Sequence, residues 1–348
     1  MDESKKTKRR SRAAGAVSAA FAATLIFTAA VPASALEPPQ EQRMLIPVGK
    51  AVGVKLFSEG VMVVALSEEE SAAKKSGVKV GDILLAMNGQ EIESIEQLTE
   101  LVQENGDSAA CLTLQRSGRT KELELIPRQD AEGVYRLGAW IRDSMAGIGT
   151  VTYVDPESGA FAALGHAVTD VDTGKVMPLA HGAIMPAAVK AVKRGASGAP
   201  GELRGDFDLT KDLGTLYKNT PSGIFGTMDH AAAAETFGEA LPIAEKDEIA
   251  TGAATILANC DGNVVQEYHV EIEKIYAGNQ PTRNLLLRVT DERLLSLTGG
   301  IVQGMSGSPI LQNGRIVGAV THVLINDPTK GYGIFIENML EAAENGVN

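Results

Sequence analysis

The chain has 348 residues, of which 44% are hydrophobic, with 37 Gly, 14 Pro and only 4% aromatic. That length supports about two domains on a ~150-residue prior, and the ordinary charged fraction excludes wholesale disorder. Lys and Arg total 32 against 44 Asp and Glu, a formal charge of −12, so no nucleic-acid partner is expected. Abundant glycine with few helix-length periodic stretches points to strands and tight turns. Cys111 and Cys260 cannot build a disulfide framework and lack metal-ligand spacing.

The N-terminus carries Lys5, Lys6, Lys8, Arg9, Arg10 and Arg12, then an uncharged run from Ala13 to Leu36. Ala33-Ser34-Ala35 supplies a small-x-small cleavage pattern. The three features together read as an export signal or an N-terminal membrane anchor over residues 1–36. Removal of residues 1–35 leaves 26 basic against 42 acidic residues, a net −16. The rest of the chain is expected outside the cytoplasm, with membrane association only through this segment.

From about residue 50 the pattern is that of a small α+β unit. Two β-rich runs, 52–56 and 61–66, flank Ser58-Glu59-Gly60. A short helix over 71–76 stops at Gly77, and a strand runs into the hairpin signal Asn88-Gly89. Ser94 and Gln97 form a capping box for a helix whose apolar face is Ile95, Leu98, Leu101 and Val102. Strands over 110–115 and 121–126 close the unit around Ser117-Gly118.

The run Ser76-Gly77-Val78-Lys79-Val80-Gly81-Asp82-Ile83-Leu84 with Asn88-Gly89 resembles the PDZ domains of bacterial envelope proteases. Such domains add an extended peptide, often a C-terminus, as a strand beside a helix. The expected unit is residues 37–130 with its preceding linker. Leu45, Ile46, Gly49 and Gly53 are candidates for the loop that receives the peptide carboxylate, with the 95–103 helix as groove wall. The alternative is that the glycines only make turns.

Residues 131–348 read as one large β domain. Strands are expected over 148–154, 183–189, 203–207, 256–257, 268–275, 285–289, 310–311, 316–320 and 334–336. The glycine-rich stretch from Gly195 to Gly205 should be an exposed loop joining two β halves.

Gly304-Met305-Ser306-Gly307-Ser308-Pro309 carries the chemistry. A serine hydroxyl needs a base and oxyanion donors, and flanking glycines let the N–H groups of Gly304 and Ser306 turn into one hole. The string resembles the nucleophile loop of trypsin-like peptidases, as does the strand-turn-strand layout after it. His166 precedes the serine in the chain order of double-barrel peptidases, which makes it the candidate base. His322 could line the same cleft but defaults to packing, and His181, His230 and His269 have no context that lifts them above core histidines.

Three strings extend the resemblance: 147–153, Leu164-Gly165-His166-Ala167-Val168-Thr169-Asp170 and Gly223-Ile224-Phe225-Gly226. With 298–310, 318–323, 326–328 and 331–333, the chain is similar to the stage IV sporulation protein B family of serine peptidases. The resemblance implies a mainly β chain: an N-terminal hydrophobic segment, a PDZ unit, then a trypsin-like double β-barrel. It implies His166 as general base, Ser306 as nucleophile and Asp291 as the orienting carboxylate. Asp291 lies 15 residues before Ser306, closer than in the usual double-barrel arrangement, so Asp206 and Asp208 remain competitors. It further implies no metal or cofactor, self-cleavage, and cleavage of a membrane-bound regulator of an intramembrane protease that processes a sigma-factor precursor. The protein would leave the forespore for the space between two membranes. The competing reading is an inactive PDZ-containing envelope adaptor or chaperone.

Overall fold

A computed structural model describes residues 42–345 apart from 68–70, 229–237, 277 and 279–281. The export segment expected over residues 1–36 and His230 lie outside the described residues. Among the described residues no helix is long and apolar enough to cross a membrane.

The chain opens in a barrel, with β1 (Met44–Pro47) and the long β2 (Ala51–Leu66). The second half of β2 leaves the barrel and becomes the first strand of the PDZ unit. That unit continues through α1 (Ala72–Lys75), β3 (Ile83–Met87), β4 (Gln90–Glu91), α2 (Ile95–Asn105), β5 (Ala110–Arg116) and β6 (Arg119–Leu125). Local chemistry explains its punctuation. The Ser94 hydroxyl accepts from the Gln97 N–H at 3.1 Å, and the Gln97 side chain accepts from the Glu93 N–H at 2.7 Å. Asn88-Gly89 and Ser117-Gly118 all have positive φ, which suits two-residue hairpin turns. Leu84, Leu112 and Leu114 are wholly buried beneath Leu98 and Val102 of α2.

After a small hairpin of β7 (Arg128–Gln129) and β8 (Tyr135–Arg136), β9 (Ala139–Val154) returns to the barrel. It pairs antiparallel with β2 from Leu66↔Ala139 to Ala51↔Thr150. Next come β10 (Ala160–Ala163), β11 (His181–Lys193), β12 (Glu202–Phe207), β13 (Gly214–Thr220) and β14 (Gly223–Met228). The pairings β9-β10-β14-β13-β11-β2, with β2 back on β9, close a first six-stranded ring.

Beyond β15 (Leu241–Pro242), a second closed barrel runs β16-β17-β18-β21-β20-β19. Its strands are β16 (Gly252–Asp261), β17 (Val264–Ile275), β18 (Leu285–Val289), β19 (Pro309–Gln312), β20 (Arg315–Leu324) and β21 (Asp327–Phe335). A short α3 (Glu292–Thr298) precedes β19, and α4 (Ile336–Glu344) follows β21. Ile256, Ile272, Leu285, Leu287 and Ile310, all 0% exposed, fill this barrel. Truncating any one to Ala would cost about 2–5 kcal/mol. Lys218, only 8% exposed, donates to the carbonyls of Ala342 and Ala343 and so fixes the end of α4 to β13.

The mainly β, double-barrel reading holds, but two linear expectations are corrected. Residues 42–57 belong to the first barrel, so the PDZ unit is an insertion between β2 and β9. Leu45 and Ile46, expected at a peptide carboxylate, are 0% and 2% exposed; Leu45 pairs with Leu241 and Ile46 with Val154. A side chain at Gly49 would meet the Leu257 backbone at 2.7 Å, and one at Gly53 would meet Phe207 at 2.7 Å. These four positions pack against Leu241, Val154, Leu257 and Phe207 in the barrels. Of the Gly195–Gly205 stretch, residues 196–199 are exposed as expected, but Gly201 and Leu203 are buried and 202–205 already belong to β12. The stretch joins β11 to β12 within the first barrel, however, and does not link the two halves.

Candidate active site

Both chemistry-bearing strings sit on tight turns at the seam between the barrels. His166 follows β10 after Leu164 and Gly165, whose φ values are 69° and 68°. A left-handed leucine is strained, and such strain concentrates at functional sites. Gly165 has no room for a side chain, since a Cβ there would lie 2.9 Å from the Thr321 methyl. Ser306 lies on the turn between α3 and β19, flanked by Gly304 and Gly307, both at φ 98°. A Cβ on Gly307 would stand 2.0 Å from the Thr150 carbonyl oxygen. Thr150 of β9 clamps this turn from the first barrel: its N–H donates to the Ser306 carbonyl at 3.1 Å, its hydroxyl to the Gly304 carbonyl at 2.7 Å.

His166, Ser306 and His322 line one cavity of about 720 Å³, walled by Ile148, Ile301 and Ile325. The Ser306 hydroxyl donates to the Thr321 carbonyl at 2.7 Å. His166 Nδ1 contacts the Ala167 carbonyl at 2.8 Å, which assigns the proton to Nδ1 and leaves Nε2 as the acceptor. No direct His166–Ser306 hydrogen bond joins the two in this arrangement among the described residues. The N–H groups of Gly304 and Ser306 donate to no protein acceptor among those residues, whereas those of Gly307 and Ser308 are used by Val320 and Met305.

Burial holds the His166 pKa below its ordinary value, with the Ala167 hydrogen bond opposing only in part. His322, its ring centroid 5.1 Å from that of His166, is brought down to about 4 by burial, then by His166 and Arg283. Both imidazoles are therefore neutral at pH 7. His322 Nδ1 is buried with no hydrogen-bond partner among the described residues.

Asp291 is not brought to His166. It caps α3, where its carboxylate accepts from the Arg293 N–H at 2.9 Å, from the Arg293 guanidinium at 2.7 Å and from the His269 N–H at 3.2 Å. Arg293, ahead of these backbone donors, holds its pKa far below the ordinary carboxylate range although burial opposes this. The competitors fare no better. Asp206 sits on β12 opposite Ala188, and Asp208 accepts from the Thr210 N–H and hydroxyl. None of the three lines the cavity. His181 stacks on Phe57 at 4.5 Å, and His269 serves Asp291 through its backbone.

Residues that sequence reasoning passed over complete the site. The Ala167 and Thr321 carbonyls are backbone groups beside recognised residues, so composition gives no sign of them. Asp170, 0% exposed, accepts from the Thr173 N–H at 2.8 Å and pairs with Arg142, which also reaches Asp172 at 2.9 Å. The turn after His166 is thus tied to β9. No group of three His, Cys, Asp or Glu side chains among the described residues is placed to hold a metal ion.

Comparisons with known proteins place this geometry. A "Putative zinc metalloprotease" of Vibrio cholerae is 27% identical over 150 residues, which is 42% of this chain and 33% of that protein. A Rhizobium meliloti protein of the same description is 32% identical over 99 residues, 28% of this chain and 25% of that protein. The chain thus spans about a third or less of the length of these curated relatives. Among solved structures, the active form of the Rv3671c protease from M. tuberculosis is 17% identical, with 60% of this chain and 76% of that one covered at a TM-score of 0.32. The PDZ domain of an SdrC-like protein from Listeria monocytogenes is 13% identical, covering 24% of this chain and 87% of that one at a TM-score of 0.22. Residues 63–116 match the PDZ domain. Residues 133–340, which hold His166 and the Ser306 turn, match SpoIVB peptidase S55, and the chain belongs to that family.

Proposed function

We propose that the chain is a serine endopeptidase that works through an acyl-enzyme on Ser306. The observation that carries this is the convergence of His166 and Ser306 on one cavity, each on a turn that only its glycines permit. Rotation of the Ser306 side chain from the Thr321 carbonyl toward His166 Nε2 readies the nucleophile. Oγ then attacks the scissile carbonyl carbon while its proton passes to Nε2. The N–H groups of Gly304 and Ser306 receive the oxyanion. Collapse breaks the C–N bond, and His166 returns the proton to the leaving amine. Water, deprotonated by the same nitrogen, then hydrolyses the ester.

The third role is assigned differently from the family expectation. The Ala167 carbonyl orients the imidazole, burial keeps it neutral, and Asp291 is a positioning residue that caps the helix leading into the nucleophile turn. Peptide is the substrate class, and the apolar walls suit an apolar side chain beside the scissile bond. Family membership supports the wider reading: export from the forespore, self-cleavage, and cleavage of a membrane-bound regulator of an intramembrane protease, so that a sigma-factor precursor is processed.

The test is to produce the full chain and its Ser306→Ala variant with the candidate regulator and follow both proteins by mass spectrometry. Cleavage of regulator and self should vanish in the variant. Unchanged cleavage in the variant would overturn Ser306 as the nucleophile, and no cleavage by either chain would leave the protein as a PDZ-containing adaptor.

A further inference from the structure

The groove of the PDZ unit is already filled. A peptide that augments such a domain lies between the edge strand and the long helix. Here the edge strand is the second half of β2, whose other side pairs with β3 through Val61↔Leu84 and Met62↔Ile83. Between it and α2 runs the chain's own segment 135–142. Ala139, Trp140, Ile141 and Arg142 pair with Leu66, Ala65, Val63 and Met62. The Leu137 carbonyl accepts from the Ala73 N–H at 2.8 Å and the Gly138 carbonyl from the Ser67 N–H at 2.9 Å. On the helix side, Gln103 accepts from the Tyr135 N–H at 3.1 Å and donates to its carbonyl at 2.6 Å. Side chains alternate as an added strand requires: Tyr135, Leu137, Ala139 and Ile141 pack on the PDZ core, while Trp140 is 68% exposed. The fit is incomplete, because a cavity of about 370 Å³ remains beside the segment, lined by Leu98, Thr99 and Val102.

The same strand reaches the catalytic machinery. Arg142, at the end of that segment, holds Asp170 and Asp172 in the turn after His166, and Thr150 further along holds the Ser306 turn. Lys175 of that turn donates back to the Gly81 carbonyl in the PDZ unit at 2.8 Å.

We infer that residues 135–141 are a built-in ligand of the PDZ groove, and that an extended peptide with apolar side chains at alternate positions displaces them in trans and raises proteolysis. With the segment seated, the Ser306 hydroxyl is held by Thr321 and not by His166. A tethered segment acts at a local concentration on the order of mM, so weakening it raises the apparent affinity for a competitor in proportion. The groove exchange stands independently of the peptidase reading; its effect on rate rests on that reading.

The experiment uses the full chain carrying Ser306→Ala and a fluorescent synthetic peptide of residues 134–141, with binding read by anisotropy. Gly138→Val would press on Ser71, where a built Cβ already lies 2.4 Å away, and Leu137→Ser removes a buried anchor. Either substitution should tighten peptide binding at least tenfold. Equal affinity across parent and both variants would overturn the built-in ligand. With Ser306 restored, saturating peptide should raise casein hydrolysis by the Gly138→Val chain at least threefold, and an unchanged or lower rate would overturn the coupling. Tightened binding in a chain that hydrolyses nothing, with or without peptide, would instead count against the peptidase reading alone.

Discussion

Burial sets the proton affinity of both cavity histidines, and pH dependence follows with a definite sign. In the proposed mechanism His166 must be neutral to accept the serine proton, and burial holds its pKa below the ordinary 6.5. The acid limb of kcat/KM on a quenched peptide should therefore have its midpoint below 6.5; a midpoint above 7 would contradict the assignment. His322 binds a proton more weakly folded than unfolded, so its contribution to stability is complete above about 6.5 and lost as pH falls toward about 4. His322→Gln should lose less stability than the parent over that window in denaturant titrations. Asp291 separates two accounts. As a helix cap, Asp291→Ala should cost about 0.5–2 kcal/mol of stability and leave the acid limb in place. A carboxylate that oriented His166 would shift that limb and leave the denaturant midpoint alone. The turns that carry His166 and Ser306 were legible because each sits in a glycine-flanked string whose backbone demands are local. The partner of His166 was not, because chain spacing carries no geometry and the acceptor is a neighbouring carbonyl.

At the scale of elements, β9 carries most of the argument, and its first half was the least legible strand. Residues 148–154 read as β from their composition, whereas Arg142, Asp143, Ser144 and Gly147 hide the extension back to Ala139. What makes this stretch a strand is tertiary pairing with β2 and not local propensity. Turns with two left-handed residues, such as Asn88-Gly89 and Ser117-Gly118, were read directly because their backbone selects those residues. Arg142→Ala strips the buried Asp170 of its cationic partner. It should cost about 1.5–3 kcal/mol, the usual range for a hydrogen bond to a charged group, and lower kcat more than it raises KM. Arg142→Lys should restore part of both, and steady-state kinetics beside urea melts would show whether the two losses travel together.

For the whole molecule, insertion of the PDZ unit into the first barrel changes where the protein can be cut. A linear reading places the peptidase at 131–348, but Leu45, Ala51, Val52 and Leu56 are all 0% exposed within barrel strands upstream of the PDZ unit. A chain beginning at residue 131 lacks β1 and β2, opens the first ring and leaves β9 and β11 without a shared neighbour. It should show no cooperative thermal transition, while a chain beginning at residue 42 should melt as one unit. The sequence could not show this, because an insertion looks like a succession of domains until the strands on either side are seen to pair.

A Ser306 activated as a nucleophile by His166, as proposed, would be open to covalent trapping. The full chain should be treated with a fluorophosphonate that reacts only with activated serines, digested, and its adduct located by mass spectrometry. A single adduct should form on Ser306, be lost in His166→Ala and persist in Asp291→Asn. An unlabelled Ser306 in a chain that still cleaves peptide, or labelling indifferent to His166→Ala, would contradict this activation of Ser306.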